Sequence, residues 1–200
     1  MRPLVRRADW GAKPPKGRPK DMAAPVKYLF LHHSAGKDGD ARIVRGIQSF
    51  HQQSRGWSDI AYTWLYSPTL RTWFEGRGPG VTGAHTRGYN TLGHAVCVLG
   101  NYEKDPLPAH AIDDLAEWAH WHGGTWGPDQ YVPHRDMGET ACPGRNIIAV
   151  LDTINTLASG KAAPVVHLEP EPSDEDDDDY DAAFSYRKWQ ERIAKGLRHV

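Results

Sequence analysis

Residues 26–36 read VKYLFLHHSAG. Val26 to His32 is a brief apolar run with aromatic content, the pattern of a short buried strand, and it ends on a pair of histidines. Working outward, Asp40 can cap a helix running to about Ser54, in which Ile43, Val44, Ile47, Phe50 and His51 recur at helical spacing. Ile60 to Tyr66 (IAYTWLY) reads as a second strand, and Arg71 to Phe74 as a third, joined by a turn at Ser67-Pro68. Residues 76–91 form a long glycine-rich loop, of the kind that often carries function. Gly93 to Gly100 returns to strand. Pro108 to His122 reads as a helix with Ile112, Leu115, Trp118 and Ala119 inward, and Asn146 to Ala158 as a closing helix striped by Ile147, Val150, Leu151 and Ile154. The order β-α-β-β-β-α-α predicts an α/β fold, a central mixed β-sheet flanked by helices, with a site at one sheet edge.

The flanks differ in composition. Residues 1–24 are rich in Pro, Gly, Lys and Arg and are expected to form an extended lead-in over the surface. After Gly160 the chain becomes Pro-rich and then acidic, with nine Asp/Glu between Glu169 and Asp181, which cannot bury a core. The expected organisation is one folded domain over 1–160, a linker over 161–181, and a helix or the start of a second module over 182–200. The acidic run lacks the glycine turn and ligand spacing of a calcium loop.

Formal net charge is −1, so no nucleic-acid partner is expected. No stretch approaches the roughly 20 apolar residues of a membrane span, and no heptad suggests more than a monomer. Two cysteines, Cys97 and Cys142, are too few for a disulfide framework. The basic N-terminus carries no apolar core of a secretory signal, which gives the expectation of a protein made and held in the cytoplasm.

Three residues stand out as a possible zinc set. His32 ends the first strand, and His134 and Cys142 lie in PHRDMGETACPG. Two imidazoles and a thiolate can hold Zn²⁺ and leave a fourth position open, the layout of a catalytic site. Mixed N/S ligation favours zinc over Mg²⁺ or Ca²⁺. Taken singly, the blander readings compete: a histidine at a strand end is more often a satisfied core or surface residue, and His134 with Cys142 can be a surface imidazole and a buried thiol. Side chains alternate along a strand, so only one of His32 and His33 is expected to face the site. The aromatic group Trp57, Trp64, Tyr66, Trp73 and Phe74 can stack on sugars, though packing within the sheet is the simpler reading. Trp118, Trp121 and Trp126 with His120 and His122 fit an amphipathic helix better than a second metal site.

The segments VKYLFLHHSAG (26–36), WSDIAYTW (57–64), GAHTRGYN (83–90) and HRDMGETACPG (134–144), in this order, resemble the type-2 N-acetylmuramoyl-L-alanine amidases. That family includes the peptidoglycan recognition proteins and phage lysozymes of the amidase kind. RADWGAKPP (7–15) resembles the entry segment of the recognition-protein branch, and the likeness covers roughly residues 6–158. It implies a peptidoglycan recognition protein-like fold and zinc held by His32, His134 and Cys142. It implies an active-site role for Tyr62, a supporting hydroxyl at Thr140, and substrate-groove positions at His85 and Asn90, with His33 as neighbour to the ligand. The implied reaction is hydrolysis of the bond between N-acetylmuramic acid and L-alanine in bacterial peptidoglycan. The implied setting is a phage endolysin that waits in the host cytoplasm until a membrane pore releases it. The chain departs from the family's bacterial recycling enzymes by lacking a glutamate near Cys97 and a lysine at Thr140, which leaves the proton acceptor open. The alternative is a non-catalytic peptidoglycan-binding module; the retained Cys142 argues for catalysis.

Overall fold

The apolar run does become a central strand, Tyr28–His33, with Leu29, Phe30 and Leu31 fully buried. The computed structural model describes residues 2–22 and 25–160; the expected linker and C-terminal helix lie outside the described residues. In chain order the elements are β1 (Leu4–Val5), α1 (Arg7–Trp10), β2 (Tyr28–His33), α2 (Ala41–Ser49), β3 (Trp64–Ser67), β4 (Thr72–Glu75), β5 (Gly93–Val98), α3 (Ala109–Trp126), β6 (Tyr131–Pro133), α4 (Arg145–Ile148) and α5 (Leu151–Ala158). They build one mixed sheet in the order β1-β4-β3-β5-β2-β6, in which only β3 and β4 pair antiparallel.

Alternation along β2 sends its side chains into two cores. Leu29 and Leu31 join Trp64, Val96, Leu115, Trp118 and Ile154 beneath α3 and α5. Phe30 joins Trp10, Val44, Ile47, Tyr62, Leu65 and Cys97 beneath α2. Each fully buried large apolar side chain contributes about 1.5–3 kcal/mol of transfer free energy. Both faces of the sheet are therefore covered, as parallel strands require.

Several elements depart from expectation, each for a local reason. The residues before β2 do not simply run over the surface: β1 adds a parallel edge to β4, and α1 buries Trp10 completely, its indole N–H donating to Glu75 O at 2.8 Å. The second strand starts at Trp64, not Ile60. The carbonyls of Asp59 and Ile60 are taken by the buried Arg77 guanidinium, and those of Tyr62 and Thr63 by the backbone N–H groups of residues 76–78, so no ladder forms there. Asp40 does cap α2, accepting from Arg42 N at 2.8 Å, and the helix continues as a π-helical turn, Phe50–Ser54. The closing helix is split: Val150, at φ −117° and ψ 3°, separates α4 from α5. β6, to which the sequence pattern assigned no element, pairs in parallel with β2.

Candidate metal centre

β2 and β6 are parallel neighbours with Leu31 level with Pro133. One residue further on, His32 and His134 stand side by side at the carboxyl edge of the sheet, their ring centroids 4.6 Å apart. The loop after β6 then folds back, with Arg135 N donating to Cys142 O at 2.9 Å and Cys142 N donating to Thr140 Oγ1 at 3.2 Å. This turn presents Cys142 Sγ 3.5 Å from His32 Nδ1. One ligand atom from each of His32, His134 and Cys142 lies within 4.8 Å of the others.

The donors suit a divalent transition metal. Burial, with the neighbouring imidazoles, holds His32 well below the ordinary histidine range, so it is neutral and has a lone pair to give. Burial pushes the Cys142 thiol up to about 12, opposed by a hydrogen bond from the His33 backbone N–H and by Arg135. A thiol with this value needs a cation to become a thiolate at neutral pH, and the three side chains offer a mixed N/S set with room for a fourth ligand.

The group opens into a cleft of about 380 Å³. Tyr62 and Thr140 line it, together with His33. Tyr62 is almost fully buried, its ring centroid 5.3 Å from that of His32. Gly76 explains how Tyr62 is held: a Cβ there would come within 2.1 Å of the Tyr62 carbonyl oxygen. His33 reaches the cleft although it alternates with His32, because the cleft lies across the end of β2 and not on one face of it. Its Nδ1 accepts from Tyr102 N at 3.1 Å, and burial lowers it to about 4, so the hydrogen of the neutral ring sits on Nε2.

Two residues of the glycine-rich loop stand elsewhere. His85 is completely buried behind His32, not on the cleft wall. Asn90 braces its own loop, its side chain accepting from Thr86 N at 2.8 Å and its carbonyl from Gly83 N at 2.9 Å. Sequence reasoning missed Arg55, Arg87 and Glu139, which also line the cleft. Adjacency to the recognised segments was the available signal: Arg87 lies within GAHTRGYN and Glu139 precedes Thr140. Cys97 has no part as a base, since burial raises its thiol well above the ordinary value despite a hydrogen bond with Tyr62.

The fold finds counterparts among known proteins. The model of the N-acetylmuramoyl-L-alanine amidase family matches residues 22–145. The human N-acetylmuramoyl-L-alanine amidase is 35% identical over 159 residues, a match that takes in 74% of this chain and 27% of the human protein. The chain spans under a third of that relative and of the pig and mouse proteins of the same name. Among solved structures, Drosophila peptidoglycan recognition protein SD superposes with a TM-score of 0.70 at 26% identity, over 76% of this chain and 94% of that one. Peptidoglycan recognition protein-LE, solved in complex with tracheal cytotoxin, a monomeric diaminopimelic acid-type peptidoglycan, gives 0.66 at 31%, over 71% and 88%.

The fold is that of the peptidoglycan recognition proteins. The chain belongs to the N-acetylmuramoyl-L-alanine amidase family.

Proposed function

We propose that this protein is a zinc-dependent amidase that cleaves the bond between N-acetylmuramic acid and L-alanine in bacterial peptidoglycan. The observation that carries the reading is the His32–His134–Cys142 group opening into a cleft that Tyr62 also lines. Those three residues would hold Zn²⁺, which at such a site supplies Lewis acidity toward the scissile carbonyl and a nucleophile at neutral pH. The chain's own groups do the rest. The Tyr62 hydroxyl donates to the carbonyl oxygen as charge gathers on it. Thr140 Oγ1 already accepts the Cys142 N–H, so its own hydrogen is directed elsewhere and supports the same oxygen. The Nε2–H of His33 is offered to a backbone carbonyl of the stem peptide. Arg55 and Arg87 give the cleft wall positive charge suited to peptide carboxylates.

The test is a digest of purified peptidoglycan with and without a chelator, analysed by mass spectrometry. Chelator-sensitive release of whole stem peptides with new L-alanine amino termini supports the reading. Wall binding without new termini overturns it in favour of a recognition module.

Within this reading the protein acts as a phage endolysin, released from the host cytoplasm through a membrane pore. Its support is the Pro-rich acidic stretch over 161–181, whose composition is that of a linker in a modular lysin. Expression in a bacterial host with and without a pore-forming partner tests it, since lysis without the pore removes the proposed release step.

A further inference from the structure

His85 and Thr86 form a buried relay behind His32 that the proposed reaction does not use. Both are completely buried. His85 Nε2 lies 3.2 Å from the carbonyl oxygen of Gly93, which can only accept, so Nε2 carries the hydrogen. A neutral ring then has its lone pair on Nδ1, which is 3.2 Å from Thr86 Oγ1. The threonine hydroxyl donates to it. That leaves a lone pair of Thr86 Oγ1 to accept from His32 Nε2, 3.4 Å away. The hydrogen of His32 is thereby placed on Nε2, and the lone pair falls on Nδ1, the atom that faces Cys142 Sγ at 3.5 Å. A main-chain carbonyl on β5 thus decides, through two side chains, which nitrogen of His32 is free to bind.

The relay is held rigidly. A Cβ on Gly83 would come within 2.3 Å of the His85 ring, so this glycine lets the backbone press against the imidazole. Phe30 flanks the ring with centroids 5.5 Å apart. Asn90 clamps the loop through the Thr86 and Gly83 amides. The segment GAHTRGYN therefore builds a support behind a ligand, with only Arg87 turned to the cleft.

We propose that Thr86 and His85 are positioning residues that fix the ring orientation and tautomer of His32, so that Nδ1 is presented for metal binding. The proposal rests on the metal site put forward above. Partners of this kind behind a ligating histidine are worth 10–100-fold in metal affinity by general experience.

The experiment measures Zn²⁺ affinity by competition with a chromophoric chelator, and the absorption spectrum after Co²⁺ loading, on the full chain. Thr86→Val keeps the volume and removes the hydroxyl; Thr86→Ser keeps the hydroxyl. Thermal unfolding of the metal-free proteins monitors folding, and Thr86→Ala replaces the valine variant if that one does not fold. The expected result is a loss of about 10–100-fold in zinc affinity for Thr86→Val, with an altered cobalt spectrum, and recovery of both in Thr86→Ser. Wild-type affinity and spectrum in Thr86→Val overturn the relay and leave the metal site standing. Failure of the wild-type protein to bind Zn²⁺ overturns the metal site and the relay together.

Discussion

Cys142 Sγ lies 3.5 Å from His32 Nδ1 although 110 positions separate the two residues in the chain. β2 carries the first to the sheet edge, and the loop after β6 folds the second back against it. Burial holds the thiol protonated, with its value pushed up to about 12. Metal binding must then displace a proton. Zinc affinity is expected to rise with pH, by up to about tenfold per unit between pH 6 and 8, with a proton released. Calorimetry in buffers of different ionisation enthalpy measures both. An affinity independent of pH would remove Cys142 from the ligand set.

Tyr62 is not one of the three candidate ligands, yet its ring packs 5.3 Å from that of His32. Removing one preorganised donor to a developing oxyanion typically costs 10²–10³ in turnover, about 2.7–4 kcal/mol. Tyr62→Phe should slow turnover by that order while zinc content stays at the wild-type level. Gly76→Ala should also slow it, because the added methyl collides with the Tyr62 carbonyl. Steady-state kinetics with metal analysis separates the two effects, and unchanged turnover in Tyr62→Phe would take the hydroxyl out of the chemistry.

How far the sequence could be read depended on how local each signal was. The strand ending at His32 was legible because a run of apolar residues can hardly be anything but buried. β6 was not, since three residues, YVP, make no periodicity, and only pairing with β2 defines them. The sequence before β2 looked like solvent-exposed loop because its buried anchors, Arg7 and Trp10, are single residues among Pro, Gly and Lys. The candidate ligands were legible as residue types and, with Tyr62, from resemblance to a family, and the structure brings the four together at one cleft. His85 lies buried behind His32, outside the cleft lining; its motif marks a position near the site, but the spacing does not say whether the ring faces the cleft or the back of His32.

Glu75 is buried against α1, where it accepts from Arg7 N at 3.0 Å. Burial raises its carboxyl to about 7, against the pull of Arg7 and Arg6. The folded state therefore holds this proton more tightly than the unfolded chain does. Stability from this group is fully present below the unfolded value near 4.5 and is lost as pH rises toward 7. Glu75→Gln, which cannot ionise, should stabilise the protein relative to wild type increasingly from pH 5 to pH 8. Denaturant midpoints at both ends of that range test it, and a constant difference would show that Glu75 does not titrate in this window.

Arg7 bridges the two backbone segments that enclose Tyr62. Its guanidinium donates to Asp59 Oδ2 and to Gly76 O, each at 2.7 Å, with both charged side chains almost wholly removed from solvent. Burial raises Asp59 even with Arg7 and Arg77 pulling it down, so desolvation outweighs the pairing at that carboxyl. Such a pair adds little net stability over apolar residues of the same size, yet removing one partner strands the other charge. Arg7→Met is expected to cost about 3–5 kcal/mol in denaturant unfolding. Arg42, paired with Asp40 on the surface, is the control, and Arg42→Ala should leave stability unchanged because Asp40 caps α2 through the backbone. Since Asp59 and Gly76 flank the segment that carries Tyr62, Arg7→Met should also reduce turnover at temperatures where the variant is still folded. Full turnover in a destabilised Arg7→Met protein would confine the pair to a structural role.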